Sequence, residues 1–137
     1  MIRIRGPDQA RRIDDPAIRR LVEQRFIDVC NGELYDPEIH GEMIVAEPGD
    51  TLTSLEGQSG CPIATNLFDE CRFPDPDFVP VCEIIEEHAT CYEMVFILND
   101  DGFGVDFFIP KQPGIDPELL AMCAIYAVLA PQQLSLI

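Results

Sequence analysis

Residues 91–109 read CYEMVFILNDDGFGVDFFI, and this stretch decides the fold. Two apolar runs, residues 91–98 and 103–109, flank a polar segment that ends in Asp101-Gly102. An Asp-Gly pair between apolar runs is typical of a β-hairpin turn, because glycine readily adopts the positive φ that the turn requires. We therefore predict an antiparallel hairpin over residues 91–109.

One helix is predicted before this hairpin and one after it. The first begins at Asp15-Pro16, where an acidic N-cap precedes a proline at the first helical position, and it ends at Asn31-Gly32. Apolar residues recur between these limits at helical spacing. Asp116-Pro117 repeats the same start signal, so we predict a last helix from there that Pro131 ends.

The segment between the first helix and the hairpin predicts shorter elements. Residues 33–41 are typical of a loop and residues 42–47 of a short strand. Pro48-Gly49 predicts a turn, after which Asp50 can cap a short helix over residues 51–56. A second short helix is expected from about Pro62.

Residues 79–88 (VPVCEIIEEH) fit either a strand or a helix. As a strand they would mix apolar and acidic residues on one face. As a helix they place Val81, Ile84 and Ile85 on one side and the glutamates outside, so we predict a helix here.

Together these elements predict an α+β fold with one domain. We expect a small antiparallel sheet of about three to four strands, including the 91–109 hairpin, packed against helices that cover one face. Residues 1–12 are expected to form a flexible basic arm, and residues 13–137 the single α+β domain.

Charge is distributed unevenly along the chain, whose net charge is −16. The first 25 residues hold seven basic and four acidic residues, whereas the remainder holds two basic and 21 acidic residues. An acidic body of this kind repels nucleic acid and anionic membranes and attracts basic protein surfaces. We therefore expect a basic partner protein, with a homodimer through the basic N-terminal segment as a further arrangement, and no nucleic-acid or membrane binding.

Six cysteines are present, and no pair of them has Cys-x-x-Cys spacing. The N-terminus lacks the apolar core of a secretory signal, so we expect a cytoplasmic location and no disulfide framework. Buried free thiols are then the simplest interpretation. Glycine-rich phosphate loops and nucleophile-elbow motifs are absent from the sequence, and we expect neither a catalytic residue nor a cofactor.

Three glutamates, Glu83, Glu86 and Glu87, follow the acidic connector that holds Asp75 and Asp77. On the helix predicted for residues 79–88, the three glutamates share one face. This group is a candidate docking surface for a basic partner, although a solvated helix face has the same pattern.

A metal site is the alternative. His40, Cys82, His88 and Cys91 are soft or borderline ligands that could hold zinc if the fold brought them together. His40-Gly41-Glu42 also matches half of the zinc-deaminase signature, but the Pro-Cys-x-x-Cys half is missing. A metal-binding protein or metal-dependent hydrolase using these ligands is therefore a second hypothesis.

Residues 44–55 resemble the opening of LysM-type glycan-binding modules. The resemblance consists of a short apolar strand, Ile44-Val45-Ala46, followed by Pro48-Gly49-Asp50-Thr51-Leu52 and Leu55. It implies a strand-helix-helix-strand module ending near Ile85 and a glycan ligand. The second half departs from that pattern, since residues 68–85 are proline-rich and continue with helical periodicity.

The function hypotheses follow from these patterns. The first is a non-enzymatic acidic cytoplasmic module that binds another protein, as an inhibitor, an immunity protein or a regulatory accessory protein would. The second is the metal-binding protein, and the third is the LysM-like glycan binder.

Overall fold

The computed structural model of the chain describes residues 1–61, 63, 81–97 and 104–129. Within these ranges the strands are β1 (Ile2–Ile4), β2 (Glu42–Val45), β3 (Val81–Glu87), β4 (Cys91–Ile97), β5 (Gly104–Pro110) and β6 (Val128–Leu129). The helices are α1 (Pro16–Cys30), α2 (Pro37–His40), α3 (Leu52–Ser59) and α4 (Pro117–Tyr126), with a 3-10 helix over Pro7–Arg12.

The hairpin predicted over residues 91–109 is confirmed in its strands. β4 and β5 pair antiparallel, with Tyr92 opposite Ile109 and Phe96 opposite Val105. The predicted turn, residues 99–102, lies outside the described ranges. This pair forms the centre of one sheet whose strand order is β1-β2-β5-β4-β3-β6.

The α+β class is confirmed, but the sheet is larger than predicted and is mixed. It has five strands and the two-residue β6 instead of three to four strands. β2 pairs parallel with β5, and β6 pairs parallel with β3, while the other pairs are antiparallel. Local patterns predict that a strand exists, but its partner and direction depend on contacts far along the chain, so the all-antiparallel prediction was only partly right.

The prediction of a helix over residues 79–88 was wrong, because β3 occupies Val81–Glu87. This strand pairs with β4 on one side and with β6 on the other. Its alternation places Ile85 opposite Met94 in the core and Glu86 on the other face. Pairing with two neighbours therefore outweighs the helical spacing of the same residues.

Helices cover both faces of the sheet, not one as predicted. On the face covered by α3 and α4, called the α3 face, Leu55 and Leu119 pack against Met94 and Phe107. On the opposite face, called the α1 face, the buried stripe of α1 packs against Phe108 and its neighbours. The face of the sheet on which a strand residue lies therefore follows from the alternation of side chains along the strand.

Helix α1 begins and ends as predicted. The Asp15 carboxylate accepts hydrogen bonds from the backbone N–H groups of Ala17 and Ile18, at 2.9 and 3.2 Å, and so caps the helix. Asn31 follows the last turn with a left-handed φ of 48°. Helix α4 likewise starts after Asp116, but it ends at Tyr126, before the predicted stop at Pro131.

Several boundaries differ from the predictions. The loop predicted for residues 33–41 contains α2, and the predicted 51–56 helix extends over Leu52–Ser59 with Thr51 as its N-cap in place of Asp50. Residues 1–12, expected to form a flexible arm, comprise β1 and the 3-10 helix. The helix predicted from about Pro62 lies almost wholly outside the described residues. No helix among the described residues combines the length and apolar character that a membrane span requires.

Candidate functional site

The predicted acidic surface is only partly described. Asp75 and Asp77 lie outside the described residues, and Glu83 lies on β3. Glu86 and Glu87, predicted to share a helix face, are adjacent residues of a strand and therefore point to opposite faces of the sheet. Glu87 accepts a hydrogen bond from Lys111 Nζ at 2.8 Å. Docking of a partner on these acids stays a prediction.

The structure does not bring His40 together with His88. His40 directly precedes Gly41 and the start of β2, where β5 also begins. His88 follows β3 at the end of the sheet where β5 finishes. The two histidines are separated along the strand direction by roughly six residues, or about 20 Å.

His40 makes contacts with residues at the start of its own short helix, α2. Its Nδ1 accepts a hydrogen bond from the backbone N–H of Asp36 at 2.9 Å, and its ring lies 5.9 Å from that of Tyr35. These contacts account for the burial of the ring, and zinc ligation by His40 together with His88 would require a different fold.

The cysteines proposed as ligands have different surroundings. Cys91 is fully buried on the α1 face, and its burial, with the nearby charge of Glu93, raises the pKa of the thiol to about 12. It therefore stays a thiol at neutral pH and is a poor metal ligand without an ion already beside it. Cys82 lies on β3.

His88 is instead placed beside two glutamates. Its Nε2 lies 2.9 Å from Glu93 Oε1 and 3.8 Å from Glu86 Oε2. One possible ligand atom from each of the three residues lies within 4.8 Å of the other two. We call this group, Glu86, His88 and Glu93, the triad; within the described residues it is the group of three that could hold a metal ion.

A tight hairpin between β3 and β4 builds the triad. The backbone N–H of His88 donates to the carbonyl of Cys91 at 2.9 Å, so that Ala89 and Thr90 form the turn. The register then places Glu86 directly opposite Glu93. His88 lies two residues after Glu86, so the strand alternation places its ring on the α1 face beside the carboxylates.

The triad lies at the edge of the buried part of the α1 face. The side chains of Glu93, His88 and Glu86 are 12%, 14% and 24% exposed. In such surroundings, charge interactions are stronger than in water, and two carboxylates directly opposite each other destabilise the sheet unless a positive charge compensates them.

A buried ion pair lies next to the triad. Arg25 of α1 donates from Nε to Asp106 Oδ2 at 2.6 Å, and Asp106 is only 4% exposed. Burial disfavours the charge of Arg25, but the charge and hydrogen bond of Asp106, with a contribution from Glu93, raise its pKa above the ordinary value. The guanidinium therefore stays charged, and its hydrogen bond is made to Asp106.

Two arrangements can compensate the triad's carboxylates. A protonated His88 would donate a hydrogen bond to Glu93 at 2.9 Å and place its positive charge 3.8 Å from Glu86, or a divalent cation would be held by one nitrogen and two oxygens. A mixed nitrogen and oxygen set of this kind suits Zn²⁺ and Mn²⁺ better than Ca²⁺.

Sequence reasoning missed Glu93. A usable signal was present in residues 86–93 (EEHATCYE), because a two-residue turn at Ala89-Thr90 places Glu86 opposite Glu93. The helix predicted for residues 79–88 concealed that register.

Comparisons with known proteins identify no relative: the chain matches no protein-family model, no curated protein and no solved structure. The resemblance to LysM modules therefore rests on residues 44–55 alone. In the structure, Asp50 of that turn accepts a hydrogen bond from the backbone N–H of Glu47 at 2.8 Å, and it lies 3.4 Å from Ser54 Oγ. The fold and the triad define an α+β protein with a candidate cation site on a mixed sheet.

Proposed function

We propose that the protein binds a divalent metal ion at the triad. This proposal keeps His88 from the predicted zinc set and replaces the other three ligands with Glu86 and Glu93. It concerns binding, and no catalytic step is assigned to the ion.

One observation supports this function best. Two carboxylates stand directly opposite each other, largely shielded from water, with a histidine nitrogen within 4 Å of both. Arg25, whose charge interacts with Glu93, makes its hydrogen bond and salt bridge with Asp106. A divalent cation would neutralise both carboxylates at once, and imidazole nitrogen is among the commonest metal ligands.

The test is metal binding by the purified, chelator-treated protein in the presence of a reductant. Isothermal titration with Zn²⁺ and with Mn²⁺ should give one ion per chain. Glu93→Gln and His88→Ala should each weaken that affinity by about tenfold or more, because each removes a ligand.

The chain offers a matched control for these variants. Glu87→Gln removes the same charge one residue away, on the opposite face of β3, and should leave the affinity unchanged. Equal affinity in the wild type and in His88→Ala, or loss of binding only when cysteines are replaced, would show that the triad is not the site.

Charge supports a second proposal, binding of a basic partner protein. Beyond residue 25 the chain has two basic residues, and the described one, Lys111, is engaged with Glu87. The acidic body therefore keeps a strong negative field that steers basic proteins toward it. We expect the immobilised protein to retain a basic protein from a lysate at low salt and to release it at high salt. Unchanged retention by Asp75→Asn and Asp77→Asn together would rule out those residues as the docking surface.

A further inference from the structure

A cavity of about 450 Å³ lies on the α3 face, at the end of the sheet where β2 and β5 begin. Its volume is within the range of pockets that hold small organic ligands. The described part of its wall includes the buried Cys61 after α3, together with Gly104 and Val105 of β5. These three residues carry no charge.

Two arginines and a glutamate form the polar side of the cavity. Arg3 donates to both carboxylate oxygens of Glu42, from Nε and Nη2 at 2.8 Å each, and Arg5 donates from Nε at 2.9 Å. Burial favours the neutral carboxyl, but the hydrogen bonds from both arginines hold the pKa of Glu42 below its ordinary value. The group therefore carries two positive charges and one negative charge.

Arg5 retains donors for a ligand. Its Nη1 and Nη2 make no hydrogen bond with any described residue, and its side chain is 57% exposed. The planar guanidinium matches a carboxylate in geometry and charge. The exposed Glu38 also lines the cavity, and its carboxylate would oppose a second negative charge on the ligand.

We infer that this cavity binds a small monocarboxylate with an apolar body, with the carboxylate on Arg5 and the apolar body against Val105 and Cys61. The surrounding chain is strongly acidic, whereas the described charges at this cavity balance, with Arg3 and Arg5 against Glu38 and Glu42. The cavity and the triad lie on opposite faces of the sheet, and the two sites can be tested separately.

Octanoate is the probe for this site, and 1-octanol and octyl phosphate are its comparisons. Isothermal titration should show one octanoate per chain, with octanol binding at least about tenfold more weakly because it lacks the charge that pairs with arginine. Backbone amide resonances of Gly60 and Gly104 should shift on addition of octanoate.

Three variants separate the charged from the apolar contribution. Arg5→Met should weaken octanoate about tenfold or more and leave octanol unchanged, whereas Val105→Phe should weaken both because it reduces the cavity. Arg11→Met, at an exposed arginine of the 3-10 helix, is the matched control and should change neither. Absence of octanoate binding in the millimolar range, equal octanoate affinity in Arg5→Met, or tighter binding of octyl phosphate would overturn the inference.

Discussion

Replacing Gly41 by alanine tests the shortest contact that an added Cβ would make among the described glycines. Gly41 has φ 77° and ψ −154°, a region that only glycine adopts readily. A Cβ atom added there would lie 2.0 Å from the carbonyl oxygen of Gly104, at least 1.4 Å nearer than ordinary van der Waals contact. That oxygen belongs to the backbone of β5, so it cannot rotate away as a side chain would.

The expected cost has two parts. The unfavourable backbone conformation costs about 1–3 kcal/mol. Displacing β5 from the start of β2 costs about a further 1–3 kcal/mol, by analogy with an overpacked core. Gly41→Ala should therefore lower the free energy of unfolding by about 2–6 kcal/mol, a large fraction of the total for a domain of this size.

Urea unfolding followed by far-ultraviolet circular dichroism measures this loss, and Gly32→Ala is the control. Gly32 also has a positive φ, 85°, but no described atom lies within 4 Å of an added Cβ. It should cost only about 1–2 kcal/mol for the backbone conformation. If Gly41→Ala is no more destabilising than Gly32→Ala, the close approach of Gly41 to Gly104 is refuted.

Two further predictions concern the α1 face. Arg25→Met should lower the free energy of unfolding by about 3 kcal/mol, since it leaves the buried Asp106 without its guanidinium. The control is Arg20→Met at an exposed position, which should change the free energy of unfolding by less than about 0.5 kcal/mol. Equal effects of the two substitutions in urea unfolding would contradict the ion pair. Folding raises the pKa of the Cys91 thiol from 9.0 to about 12, so as pH rises the unfolded chain releases that proton before the folded chain does. The free energy of unfolding should therefore fall between pH 9 and pH 11, by up to about 1.4 kcal/mol per pH unit. Unfolding of Cys91→Ala over the same pH range should show a shallower fall, and an identical slope would disprove the shift.

The sequence predicted those elements whose ends and pairing depend on residues close together in the chain. The Asp15 cap with Pro16 and the left-handed Asn31 fix α1 within one stretch of chain, and the apolar runs of β4 and β5 lie next to each other in sequence. The parallel pairing of β2 with β5 joins residues about sixty positions apart, and no local pattern specifies it.

The candidate site was predictable only in part for the same reason. His88 was predicted as a candidate ligand from its residue type. Its neighbour Glu93 follows from the register of the β3–β4 hairpin, which depends on the strand assignment of residues 81–87. The acidic and apolar residues of that stretch fit a helical spacing better than a strict alternation, so its strand conformation depends on pairing with two neighbouring strands.

The central position of β5 has a consequence for the order in which the protein folds during synthesis. β2 lies between β1 and β5, and the apolar stripe of α1 packs partly on Phe108 of β5 and Cys91 of β4. The first half of the chain therefore emerges from the ribosome without the strand that completes its core. Until residues 104–110 are made, α1 keeps an apolar stripe exposed, and the nascent chain is vulnerable to aggregation over that interval.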